Sequence, residues 1–244
     1  MAYRHGVYIE EQATGLVTPV EVESALPVVV GTAPVHNLPK GTQAPVNEPK
    51  LYYSMPEFVA GMGSLQSGES PSDYTLYEMA SLYFERYKTK PLVAINVFDP
   101  AKHTSPAEGD GGQTKPDVSK VTKEDIVGGI DGDLRRTGLA LVEEVFPRFR
   151  LTPGQILAPG FSGDPSVALA IGAACKDICG HFRAIGIIDV PAEVQKYTEV
   201  PEWLNDNNLT IDDLLCMYGS PVYNGSAECG SSHLAGVIAA RDRS

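Results

Sequence analysis

Long basic clusters are missing from this 244-residue chain. The densest five-residue window, Arg86 to Lys90, holds three basic residues, and 19 basic residues face 31 acidic ones, a net charge of −12. The acidity is spread along the chain, with 6 basic and 11 acidic groups in residues 1–100 and 13 and 20 in residues 101–244. Phosphate backbones are held by clustered cations, so this composition argues against a nucleic-acid surface. Long apolar runs are missing too. The longest, Val167 to Cys175, falls far short of the roughly 20 residues that span a bilayer, which argues against a membrane partner. The N-terminus has no basic stretch followed by an apolar core, so no signal peptide is expected.

The motifs of several enzyme classes are also missing. Neither G-x-G-x-x-G nor G-x-x-x-x-G-K-[ST] occurs. The turn Gly31-Thr32-Ala33-Pro34 lacks the glycines and the lysine that cradle phosphate, which leaves a nucleotide cofactor without a seat. His5, His36, His103, His181 and His233 never fall at H-x-x-x-H or H-E-x-x-H spacing, which removes the metalloprotease helix. Cys175, Cys179, Cys216 and Cys229 run C-x3-C, then 36 residues, then C-x12-C. That spacing fits no compact zinc module, even with His181 or His233 added. Cys175 and Cys179, at i,i+4, are expected to share a helix face. In a reducing cytosol the four thiols stay free and read as small buried apolar side chains.

Pro159-Gly160-Phe161-Ser162-Gly163-Asp164 is one glycine short of the G-x-S-x-G nucleophile elbow. Gly, Ser and Asp are also what a strand-to-helix turn uses to bend and cap. Glu143-Glu144 and Asp212-Asp213 are adjacent pairs whose side chains point apart on a helix and read as solvated faces. No catalytic, cofactor or metal set is expected, and the chain does not read as an enzyme.

What is present is an ordinary globular composition, 43% hydrophobic and 20% charged, with regularly alternating elements. Residues 1–20 read as an extended arm. Val7, Tyr8 and Ile9 form a short alternating strand, and Gly15 and Pro19 break any regular element after it. A lone strand is unstable in water, so this one must pair with its own domain or with another subunit. The core domain is expected over residues 21–244. Strands are predicted at 27–31, 92–97, 155–158, 183–189 and near 221–223, where short apolar runs are bounded by turn residues. Helices are predicted at 73–88, opened by a Thr75-x-x-Glu78 capping box, at 123–130, and at 139–146, ended by Pro147. Further helices are expected at 165–180 and 211–217, with 234–241 as the final segment. Residues 34–56 read as loop. Residues 100–119, with Gly109, Gly111 and Gly112, read as an exposed, mobile loop with His103 in solvent. This alternation predicts an α/β fold: a mainly parallel sheet with helices on both faces, plus the N-terminal arm.

Several segments, taken in order, resemble one family. The opening His5-Gly6-Val7-Tyr8-Ile9-Glu10-Glu11 and the closing Ala235-Gly236-Val237-Ile238-Ala239-Ala240-Arg241-Asp242 resemble the two ends of the core of contractile-tail sheath proteins. Those proteins occur in bacteriophages and related injection machines. Between them, Ile126-Val127-Gly128-Gly129-Ile130, Thr137 to Leu141, Leu151 to Ser162, Arg183 to Pro191 and Met217 to Pro221 keep the family's order. The resemblance implies a structural subunit that polymerises around a tail tube and contracts to drive the tube through a host envelope. It implies neighbouring sheath subunits, the tube protein and a baseplate as partners. It also implies assembly in the bacterial cytoplasm, residence in the virion tail, and an arm at Val7, Tyr8 and Ile9 lent to a neighbour by strand exchange. Residues 100–119 stand where larger sheaths carry an insertion. The family's G-W-x-x-P-x-N motif and C-terminal domain would come after Ser244, so the resemblance implies a core without that domain. A phage-tail-like bacteriocin or another contractile injection system would use a similar core. A soluble α/β enzyme or ligand-binding protein is the more remote alternative.

Overall fold

A computed structural model describes residues 26–106, 114–223 and 225–242. Val7, Tyr8 and Ile9 lie outside the described residues. In chain order the elements begin with β1 (Pro27–Gly31), β2 (Pro49–Tyr52), α1 (Met55–Met62), α2 (Thr75–Ser81) and β3 (Leu92–Asn96). A hairpin of β4 (Thr104–Pro106) and β5 (Thr114–Pro116) comes next, then α3 (Lys123–Val127) and a hairpin of β6 (Gly129–Ile130) and β7 (Arg136–Thr137). After these stand α4 (Val145–Phe149), β8 (Gln155–Leu157), α5 (Pro165–Ala174), β9 (Ile185–Asp189), α6 (Val200–Asp206) and β10 (Leu214–Met217). A hairpin of β11 (Val222–Tyr223) and β12 (Ser226–Ala227) leads into α7 (Gly230–Asp242).

Six strands form the central sheet in the order β10-β9-β8-β1-β3-β2, all parallel except β2, which runs antiparallel to β3. β1 and β3 are buried at every position, as strands covered on both faces must be. Register fixes which residues share a face. Val29, Leu157, Ile187 and Leu215 stand opposite one another across four strands. Their i+2 neighbours Gly31, Asp189 and Met217 therefore point the same way. On that side a Cβ at Gly31 would strike Thr75 of α2, and Gly230 of α7 lies against Met217 and Asp189. On the other side Gly186 leaves room for Ile171 and Cys175 at α5, and a 3-10 stretch, Gly138–Glu144, packs over β1, β2 and β3. The α/β class, the mostly parallel sheet and its two covered faces match the sequence expectation.

Several boundaries differ, each for a physical reason. Residues 34–56 hold β2 and the start of α1. Ser54 and Glu57 cap that helix, Ser54 Oγ accepting the Glu57 N–H and Glu57 accepting the Tyr53 N–H. The Thr75–Glu78 capping box does not form. The box sits one turn earlier, at Ser70 and Asp73, and the helix continues past α2 as a π turn, Leu82–Arg86. Pro147 does not end a helix; it lies in the first turn of α4, where a missing N–H costs nothing. Residues 211–217 are expected to be helical, yet Leu214–Met217 pairs with β9 as β10. A four-residue apolar run carries no decisive period, and the open edge of β9 decides it. α6 carries no clear signal in the sequence. The helix after Asp164 stops at Ala174, because Asp177 and Cys179 take left-handed φ angles of 52° and 51°. Cys175 and Cys179 therefore share no helix face.

Residues 104–106 and 114–116 pair as the largely exposed β4–β5 hairpin, with a 3-10 turn at Val118–Lys120 after it; Gly109, Gly111 and Gly112 lie outside the described residues. His103 is not in solvent. It is 4% exposed and stacks on Phe98, its Nδ1 accepting the Asp99 N–H at 3.0 Å and its Nε2 3.3 Å from Asp125. Burial works against charge on Asp125, but hydrogen bonds from the Lys102 ammonium and from the Thr122 N–H and hydroxyl outweigh it. They hold its carboxyl at about 2, against an ordinary 3.8. A depressed carboxyl contributes stability above its ordinary pKa and loses it as pH falls through the folded value. Urea titrations of wild type and Asp125→Asn should therefore differ by on the order of 2 kcal/mol at neutral pH. The two should converge between pH 4 and 2. A difference that stays constant across that window would count against this origin.

Candidate functional site

The chain runs from β1 outward to β3, then crosses to β8, β9 and β10 on the other side. Strand order thus reverses between β1 and β8, where open α/β sheets take ligands beyond their carboxyl ends. Around this crevice stand Thr32 after β1, Gly160 and Ser162 after β8, Asp189 at the end of β9, and Thr75 and Glu78 of α2. Thr32 and Thr75 lock loop to helix reciprocally: the Thr32 N–H donates to Thr75 Oγ1 at 3.2 Å and the Thr75 N–H to Thr32 Oγ1 at 3.1 Å.

The crevice is filled by the chain itself, at the start of α7. That helix has no acidic residue in its first turn, so its unsatisfied N–H groups need acceptors from elsewhere. Asp189 accepts the Ser231 N–H at 2.7 Å and the Ser231 hydroxyl. Glu78, 6% exposed, accepts the Cys229 N–H at 2.8 Å. Burial raises the Glu78 carboxyl, the Cys229 bonds oppose that rise, and the nearby Glu228 charge adds to it. Further along, Gly236 lies against the Tyr87 ring, whose hydroxyl pairs with His233 Nδ1 at 2.9 Å. His233 Nε2 meets Glu228, which is paired with Arg86, and Arg86 sits 3.8 Å over the ring of Tyr223.

These groups are arranged to hold structure. Ser162 is fully buried; its hydroxyl donates to Asp189 at 3.2 Å and accepts the Asp189 N–H at 3.0 Å. A nucleophilic serine needs a base and an exposed face, and this one clamps the turn after β8 to the end of β9. The Cys229 thiol is pushed up by burial and then by the Glu78 charge, which disfavours the reactive thiolate. Burial also pushes Cys175 up to about 12 and Cys216 to about 11. Of the four cysteines expected in the core, Cys175 alone is fully buried and the others are partly exposed. His36, His103 and His233 each bond a carboxylate, on Glu69, Asp125 and Glu228 respectively. Among the described residues no three His, Cys, Asp or Glu side chains gather as a metal would require. No described helix is long and apolar enough to cross a membrane.

The surface offers more than the crevice. The two sheet edges differ sharply: β2 carries Pro49 and a Lys50–Glu48 ion pair, both devices that discourage strand addition. β10 reads Leu-Leu-Cys-Met with neither, and Leu215, Tyr218, Val222 and Tyr223 are exposed on and after it. The β6–β7 hairpin projects Ile130 and Leu134, 70% and 87% exposed. No family model matches the chain, and no curated protein sequence does.

Proposed function

We propose that this chain is the core of a contractile-tail sheath subunit, a structural protein that polymerises around a tail tube and shortens to drive it through a host envelope. The observation that carries the reading is what happens to Ala235–Asp242, the segment most like that family. Ala235 and Ala239 are buried, and Gly236 lets α7 lie directly on Tyr87. The same helix, held at its start by Glu78 and Asp189, occupies the crevice where an α/β enzyme would take a ligand. A domain filled by its own helix suits a rigid body that moves as a unit. Contraction then draws its energy from new contacts between rigid bodies, with no fuel and no catalytic residue. Neighbouring subunits, the tube protein and a baseplate are the partners on this reading, in a phage tail or a related injection machine.

Negative-stain microscopy of the full gene product, expressed with its neighbouring tail genes, tests this directly. Tubes with helical striations are expected, and removal of residues 1–20 should abolish them. A product that stays dispersed with its arm intact and its partners present would overturn the proposal.

A further inference from the structure

A shallow groove of about 250 Å³ lies between α3, the 3-10 stretch at 138–144 and α5, walled by Val127, Leu139, Ala140, Val142, Ala170 and Ala173. Its one charged lining residue is Glu143. Beside it stands the β6–β7 hairpin, rooted at Gly128 and Gly138. Both glycines have positive φ, 61° and 56°, and each faces backbone of the opposite root that a Cβ would strike. Its turn is rigid: the Asp131 carboxylate accepts the N–H groups of Asp133 and Arg135, each at 2.9 Å, and the Asp131 N–H donates to the Arg135 carbonyl. Ile130 and Leu134 are thus held out in water by a turn that needs little further ordering to bind.

We propose that this apolar tip seats in the groove of a second copy of the chain, reciprocally, about a two-fold axis. Size allows it, since apolar cavities of roughly 150 Å³ already take a benzene-sized guest. Charge favours it. Arg135 and Arg136 stand beside the tip on a chain of net charge −12, and Glu143 in the groove, whose Oε2 accepts the Cys179 N–H at 2.9 Å, has its other carboxylate oxygen to receive a guanidinium. Position dictates the symmetry. Val127 and Leu139 line the groove and also flank the hairpin's two roots, so knob and socket adjoin on one face. Two copies brought together there exchange tips, and the contact closes as an isologous dimer. Such a contact is separate from the open contacts that a sheath polymer needs, and it does not rest on that reading.

Sedimentation velocity over a hundredfold range of concentration should show monomer exchanging with dimer. Leu134→Asp should weaken dimerisation at least about tenfold. Ala173→Arg should do the same by filling the socket while leaving the hairpin untouched. Arg135→Glu should weaken it, and adding Glu143→Arg should restore it. Thermal melts within a degree or two of wild type would show that Leu134→Asp and Ala173→Arg act on association and not on folding. A chain that stays monomeric throughout, a dimer indifferent to both of those variants, or open-ended growth in place of a dimer would each overturn the proposal.

Discussion

Replacing Asp189 with alanine should lower the unfolding free energy by about 3 kcal/mol and release α7 before the rest of the domain. The carboxylate accepts from the Ser231 N–H, the Ser231 hydroxyl and the Ser162 hydroxyl. Losing a helix cap costs about 0.5–2 kcal/mol, and a buried bond to a charged group about 1.5–3. The two overlap here, because one side chain makes both. Asp189→Asn keeps an acceptor for the Ser231 N–H and should lose less, and Ser231→Ala about 1 kcal/mol. Urea unfolding gives the sizes. Hydrogen exchange should show residues 230–242 opening first in the alanine variant. A loss under about 0.5 kcal/mol, the scatter of ordinary surface substitutions, would mean that α7 is held by its apolar face alone.

Gly236→Ala should destabilise, and the sign matters as much as the size. In a solvent-exposed helix the same change gains about 1 kcal/mol, since glycine is the poorer helix former. Here the added methyl would fall 2.8 Å from Cε2 and Cγ of Tyr87. That ring cannot swing away without breaking its bond to His233. Overpacking of this kind costs about 1–3 kcal/mol, enough to reverse the propensity gain, and Gly236→Val should cost more still. In the Tyr87→Ala background the alanine substitution should turn neutral or favourable, a coupling that a double-mutant cycle reads directly. A stabilising Gly236→Ala in the native background would show that α7 does not lie on Tyr87.

The sheet was largely legible in the sequence; the latch that Asp189 and Glu78 close on the start of α7 was not. β1, β3 and β9 are apolar runs framed by turn residues, and each stands where its run predicts. α5 announces its start with Asp164-Pro165, and Asp164 does cap it, accepting the Ser166 N–H. α1 was open to reading as well, since Ser54-x-x-Glu57 with Pro56 is a helix start inside a stretch otherwise read as loop. β10 could not be read alone, because its strand character comes from the edge of β9. The cap of α7 is further out of reach. Its acceptors lie 42 and 151 residues upstream, on a strand and on another helix, and no window along the chain brings them together. His103 shows the same limit, since a polar neighbourhood in sequence hides a ring buried against Phe98.

The distance between the two halves of that latch also sets a timetable. A chain made at roughly 5–20 residues per second exposes Asp189 several seconds before Ser231 leaves the ribosome behind it. During that interval every strand of the sheet except β10 can already be paired. The carboxylates of Asp189 and Glu78 still face water, and the unguarded edge of β10 emerges next. A nascent chain paused between Met217 and Cys229 would therefore be a sheet without its lid, and that stage is where a chaperone would find the most to hold.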